Sequence, residues 1–170
     1  MADIIFLVLL FVHVITVVFW MGASILFVSV LGPSMAKLTA SSRMDFSKTI
    51  GPAYANYNIR NATVAVAAGL ILYAYITQPS SSLAPSSSGM YWIFAGVLLG
   101  LGAYIIGIIL LMTNRRQMKL MSQAPTGQPS TGAPPSEMAN LQRRMTMSAG
   151  LQAVFLMVAL LCMVVGANIL

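Results

Sequence analysis

Apolar residues along this chain neither alternate nor recur at the spacing of an amphipathic surface helix. They come in four long blocks separated by polar stretches. The first covers residues 4–31 and stops at Gly32-Pro33. As a helix rising about 1.5 Å per residue it would reach about 42 Å. That exceeds a hydrocarbon core of about 30 Å, so this span is expected to tilt or protrude. The second covers residues 60–77 and has the shortest strictly apolar part, with Asn58, Arg60 and Asn61 at its mouth. The third and fourth cover residues 90–113 and 147–169. In lipid every backbone N–H and C=O needs a partner inside its own segment, so such blocks predict helices. Successive spans reverse direction. The expected fold class is therefore all-α: a single four-helix transmembrane bundle over residues 1–170, with sequential neighbours antiparallel.

The connections carry the orientation. Residues 32–59 hold Lys37, Arg43 and Lys48, and residues 113–146 hold Arg115, Arg116, Lys119, Arg143 and Arg144. Residues 78–89, QPSSSLAPSSSG, hold no charge. With Arg60 at a span edge, these account for all nine basic residues. Lys and Arg gather in short cytoplasmic loops, so loops 32–59 and 113–146 are expected in the cytoplasm. Loop 78–89 and both termini are then expected outside a plasma membrane. Tyr73, Tyr75, Tyr91 and Trp92 cluster at that outer boundary, where aromatic belts form. The stretch SQAPTGQPSTGAPPS, within residues of about 122–138, has the composition of a flexible loop. The opening MAD lacks a positive charge and the apolar run is longer than a signal-peptide core, so the first span is expected to be retained.

Composition removes the soluble alternative. Charged residues make up 7 % of the chain, against about 25 % in an ordinary soluble domain. Hydrophobic residues make up 58 % and the mean hydropathy is +0.85. The principal partner is thus a lipid bilayer. A net charge of +6 does not indicate nucleic acid, because the cations lie only between apolar blocks rather than on one water-facing surface. Cys162 is the single cysteine, so no intrachain disulfide can form. The chain has no nucleophile beside a base, no paired carboxylates and no glycine-rich phosphate loop, so nothing points to an enzyme.

Lipid is as apolar as leucine, so helix association must come from close approach and interhelical hydrogen bonds. The third span offers Gly96-x-x-x-Gly100, Gly102, Ala103 and Gly107, which suits a central helix. The second offers Ala65, Ala67, Ala68 and Gly69. Thr63, Tyr104 and Gln152 are the expected interhelical hydrogen-bonding groups.

His13 is the only histidine. If residue 4 marks the membrane boundary, it lies about 13 Å deep, near the midplane. An ionisable group at that depth normally faces the bundle interior. Thr16, Trp20 and Ser24 share its helical stripe. Its candidate roles are a neutral imidazole tying two helices, a metal ligand, a haem axial ligand or a proton-relay group. The relay lacks companions, since no Asp, Glu or Lys lies within a span. At the same depth the antiparallel fourth span should present residues 157–163. His13 with Met157 or Met163 would suit haem b, and His13 with Cys162 and Met163 would suit copper(I). Two copies of His13 across a dimer could also ligate one haem. Eight of the thirteen methionines flank the basic connections, where packing or soft-metal binding are both open. Arg60 is either a snorkelling topology determinant or a counter-ion for a carboxylate.

His13-x6-Trp20-x-Gly22, followed by FVSVLGP with Pro33, resembles the first helix of the copper-resistance D (CopD-like) membrane proteins, with Ala23 in place of a second glycine. Arg60 before the second span and Gly69 inside it extend the likeness loosely; the motif itself covers 21 residues, 13 to 33. The resemblance implies copper handling or transport, or a small subunit of a larger membrane complex or homo-oligomer, with His13 as the candidate ligand. The same motif is similar, more distantly, to the HemJ-like haem-binding family. There the helix continues with an Arg and a further His, whereas this chain continues SILFVSVLGP, which argues against that family's oxidase activity. A haem-binding redox protein and a cofactor-free structural subunit are the competing expectations.

Overall fold

Thr39 marks the change from the first apolar helix to the second. Its extended backbone and its hydroxyl, which accepts from Ser42 N–H at 3.3 Å, start a new helix as an N-cap. The computed structural model describes residues 4–78, 86–122 and 135–168. Before Thr39 lie α1 (Ile4–Leu26), one π turn (Phe27–Leu31) and the short α2 (Gly32–Ala36). After it come α3 (Ala40–Ile76), α4 (Ser87–Ser122) and α5 (Pro135–Asn168). No strand occurs among the described residues. Four helices, over Ile4–Ala36, Ser41–Ile76, Ser87–Lys119 and Arg143–Asn168, are long and apolar enough to cross a membrane.

The helices outrun the apolar blocks. Gly32-Pro33 does not end the first helix, as expected from sequence; Pro33 starts a further turn and the chain stays helical to Ala36. Pro33 has no N–H and its ring would press on the Ser29 carbonyl. The π turn, closed by Gly32 N–H to Phe27 O, widens the helix at that point. The helix then stops because Arg43 reaches back and donates to the Met35, Ala36 and Leu38 carbonyls at 3.0, 3.1 and 3.2 Å. Much of the expected loop 32–59 is thus helix, and α3 runs through Pro52 without a break. Likewise α4 continues to Ser122 and α5 begins at Pro135, so loop 113–146 is largely helical where described. Of the expected flexible stretch, residues 123–134 lie outside the described residues, as do most of loop 78–89 and both chain ends.

The polar first half of α3 is held by side chains rather than by apolar content. Tyr54 stacks on Phe27 with ring centroids 4.9 Å apart, and its hydroxyl donates to the Ala23 carbonyl at 3.1 Å. Asn114 on α4 donates to the Gly51 carbonyl at 3.4 Å.

The helices associate as two tight pairs, α1 with α3 and α4 with α5. These pairs meet more extensively between α3 and α4 than between α1 and α5. Small residues set the close approaches. A Cβ on Gly166 would lie 2.7 Å from the Gly89 carbonyl oxygen, and one on Gly96 would lie 3.1 Å from the Ala159 carbonyl oxygen. Gly102 receives the Phe155 ring and Gly107 the Gln152 amide, which donates to Ala103 O at 3.2 Å. Thr63 and Tyr104 hydroxyls meet at 3.1 Å, linking α3 to α4. At the centre, Trp20, Ala62, Ala65, Ala103 and Leu156 form the buried core.

Gly166→Ala should lower stability in detergent by about 1–3 kcal/mol, the usual cost of overpacking, because the obstructing atom is backbone. Gly150, with no atom within 4 Å of the place a methyl group would take, provides the control. Gly150→Ala should leave the thermal unfolding midpoint unchanged or raise it; equal midpoints for the two variants would contradict the packing described.

Candidate functional site

His13 sits on the inner face of α1, and its imidazole lies against α3. Nδ1 is 2.8 Å from the Ala65 carbonyl oxygen. A carbonyl can only accept, so Nδ1 carries the proton and donates it. The neutral ring then keeps its lone pair on Nε2. Nε2 has no hydrogen-bond partner among the described residues. This approach is possible because residue 69, one turn beyond Ala65, is glycine. A Cβ there would stand 2.7 Å from His13 Cε1 and 3.0 Å from Nδ1. Gly69 is therefore the socket of the imidazole. The sequence marked it as a packing glycine; its pairing with His13 required the register between α1 and α3.

The rest of the stripe behaves differently from its polar character. Thr16 donates to carbonyls of its own helix, Val12 O at 2.7 Å and His13 O at 3.0 Å. Ser24 does the same to Trp20 O at 2.9 Å. Thr16 ties no helices together, whereas Ser24 is also a hydrogen-bond partner of Tyr54 on α3. Trp20, 2 % exposed, plugs the centre of the bundle.

Between this plug and the serine-rich end lies a cavity of about 650 Å³. All four long helices contribute: Leu10, His13 and Val17 from α1, Ala65, Gly69 and Tyr73 from α3, Val97 and Gly100 from α4, Ala159 and Met163 from α5. It runs along α1 from Phe6 to Met21, roughly 22 Å at 1.5 Å per residue. Its walls are mostly aliphatic, with the rings of Phe6, Trp20 and Tyr73 among them. Polar groups are confined to His13 at depth and to Tyr73, Ser86 and Asn168 nearer the serine-rich end, besides the indole of the Trp20 plug.

Of the candidate ligands, the structure brings His13 and Met163 into one cavity. Met157 does not line it and is 56 % exposed on the outside of α5. Cys162 is buried against α4, its Cβ 3.5 Å from where a Gly96 methyl would stand, and it too is outside the cavity. Of the copper set of His13, Cys162 and Met163, only His13 and Met163 line the cavity, although Cys162 and Met163 both pack on Gly96 of α4. No group of three or more His, Cys, Asp or Glu side chains converges among the described residues. Arg60 is exposed and away from the cavity, which fits a snorkelling cation rather than a counter-ion.

A smaller cavity of about 70 Å³ lies on the other side of Trp20. Tyr54, Asn58, Asn114 and Gln152 line it. Asn58 Nδ2 donates to the Tyr54 hydroxyl at 3.3 Å, while Asn58 Oδ1 and Trp20 Nε1 find no partner among the described residues. None of these polar groups except Trp20 and Gln152 was legible from sequence, since Tyr54, Asn58 and Asn114 lie in stretches that read as loop or span edge.

Comparison with known protein families, with curated proteins and with solved structures finds no match.

In uniformly ¹⁵N-labelled protein in bilayers, His13 should show the Nδ1-protonated neutral tautomer. Gly69→Ala should displace the ring and abolish that signature, with a stability loss of about 0.5–1.5 kcal/mol for the hydrogen bond. An Nε2-protonated ring in the unsubstituted protein would contradict the assignment.

Proposed function

We propose that this chain is a multi-pass membrane protein that holds a flat, largely apolar cofactor, haem b, in the cavity above Trp20, with His13 Nε2 as its iron ligand. The observation that carries the reading is the hydrogen bond from Nδ1 to the Ala65 carbonyl. Metal-binding histidines characteristically donate their other ring nitrogen to a carbonyl or carboxylate, which fixes the tautomer and raises the basicity of the ligating nitrogen. Here the α1–α3 pair supplies that arrangement and leaves the Nε2 lone pair for a ligand.

Size and polarity agree. A volume of about 650 Å³ lies within the roughly 300–1,000 Å³ of cofactor pockets. The aliphatic walls suit a macrocycle, and Tyr73, Ser86 and Asn168 offer hydrogen bonds to its polar edge. Met163, in the same cavity, is a second residue that would help hold the group. When bound, haem supplies one-electron chemistry whose potential depends on axial ligand and burial. The chain's own part is to orient the imidazole through Ala65 and Gly69 and to exclude water with aliphatic side chains. Trp20 closes the cavity toward the basic end. Copper handling, which the likeness to CopD-like proteins suggests, would require Cys162 to leave its packing against Gly96.

The same reading puts the bundle in a plasma membrane with the basic helix ends in the cytoplasm and the serine-rich loop and both termini outside. The segregation of all nine Lys and Arg supports this orientation.

Haemin titrated into the detergent-extracted protein should produce a sharpened, shifted Soret band at one equivalent. His13→Ala should remove it, weakening binding by about tenfold or more for loss of a ligand bond. Met163→Leu should keep the band and change its spin-state features. Copper retained through His13 in metal analysis, with no Soret band, would overturn the haem reading in favour of copper. For orientation, in a Cys162→Ala background, a single cysteine replacing Ser81 should react with impermeant maleimide on intact cells, and one replacing Arg116 only after the membrane is permeabilised.

A further inference from the structure

The side chains that wall the cavity differ in how far they are covered. Toward the basic end it is closed, with Trp20 2 %, Ala65 1 % and Leu156 3 % exposed. On α4 the lining residues Ile93, Val97 and Leu101 are partly buried, and none is among the exposed hydrophobics. On α1, however, Val14 and Val18 line the cavity while 51 % and 50 % exposed. Leu160 and Val164 on α5 do likewise at 40 % and 52 %. Each pair is spaced four residues apart, so each forms a stripe along its helix. Side chains that both wall a cavity and stand half exposed mark where its wall is thinnest. Leu70, on α3, is a solitary case and makes no such stripe. The two stripes belong to the two long helices that pack most sparingly against each other in the closed ring of four.

We infer that the cavity opens sideways between α1 and α5, so that its ligand is a molecule dissolved in the lipid phase and reaches His13 from the bilayer core. This rests on the cavity being a ligand site, and it adds the route and the class of ligand. The rim is wholly aliphatic. A water-borne ion or polar solute crossing it would shed hydration with no compensating hydrogen bond, at several kcal/mol per polar group. An apolar molecule already in lipid has no such cost and keeps apolar neighbours throughout.

Trp20 forms the floor of the cavity and reports on the opening without any cofactor. In Trp92→Phe protein, where Trp20 is the sole tryptophan, the full chain is reconstituted with phosphatidylcholine brominated at mid-chain. Bromine quenches at contact, so acyl chains entering the seam should quench more than half of the Trp20 emission. Val14→Phe with Leu160→Phe should at least halve that quenching by narrowing the rim. Val164→Ala should increase it. Leu98→Phe, on the exposed side of α4 and outside the cavity, should leave it unchanged. Aqueous iodide should have no effect. Absence of lipid quenching, quenching insensitive to both rim substitutions, or quenching by iodide would each overturn the lateral route. A quenched Trp20 in protein that gives no Soret band would instead sink the haem reading and leave the route intact.

Discussion

The hydrogen bond between His13 and the Ala65 carbonyl is the constraint around which the upper half of the bundle is arranged. The oxygen already accepts within α3, and its second lone pair takes the imidazole proton. That contact needs α1 and α3 to approach closely at one register, and Gly69 allows it because any Cβ would occupy the ring's place. In the bundle interior, away from water, leaving either group unpaired is expensive. The bond therefore fixes the depth of α1 relative to α3, the tautomer of the ring and the direction of its remaining lone pair. Three geometric properties follow from one contact.

The cavity arises from the same economy of side-chain size. Alanine and glycine bring the helices together at Ala62, Ala65 and Ala103 and along the α4–α5 seam. Trp20 fills the space those small residues leave at mid-bundle. Above it, α1 and α5 carry valine and leucine where a bulky aromatic would be needed to reach the opposite helix, and the space stays open. Interiors are normally close-packed. A volume of this size, walled by aliphatics and holding a single imidazole at depth, is suited to a ligand that is apolar over most of its surface and needs one strong donor.

Trp20 divides two environments. On one side is the larger apolar cavity with His13; on the other is a small one where Tyr54, Asn58, Asn114 and Gln152 stand among mostly apolar side chains. The long polar start of α3 makes the second environment possible. It adds turns beyond the apolar block, capped by Thr39 and pinned to α1 through Tyr54, and so carries hydrogen-bonding side chains to the inner face. Arg43, which sequence reading counts only as a topology-setting cation, also closes the end of α2 by donating to three carbonyls.

Much of the architecture was written in the one-dimensional pattern. Four apolar blocks imply four helices because lipid leaves the backbone no other partner. Gly69, Gly96, Gly102 and Gly107 of the small-residue runs and the groups at Thr63, Tyr104 and Gln152 name contacts that do form, whereas Gly100 has no atom within 4 Å of a Cβ position and Ala67 is exposed. Helix ends were not legible: Pro33 and the polar run 40–59 read as terminators, and the π turn, the Thr39 cap and the Tyr54–Phe27 stack override them. The ligand set was legible only in part. His13 stands out by its depth, but helix rotation decides which of Met157, Cys162 and Met163 turns toward it. About 100° separates successive residues on a helix, so spacing alone leaves that choice open. Only the packing of α5 on α4, where Met163 and Cys162 both lie against Gly96, decides that Met163 lines the histidine's cavity and Cys162 does not.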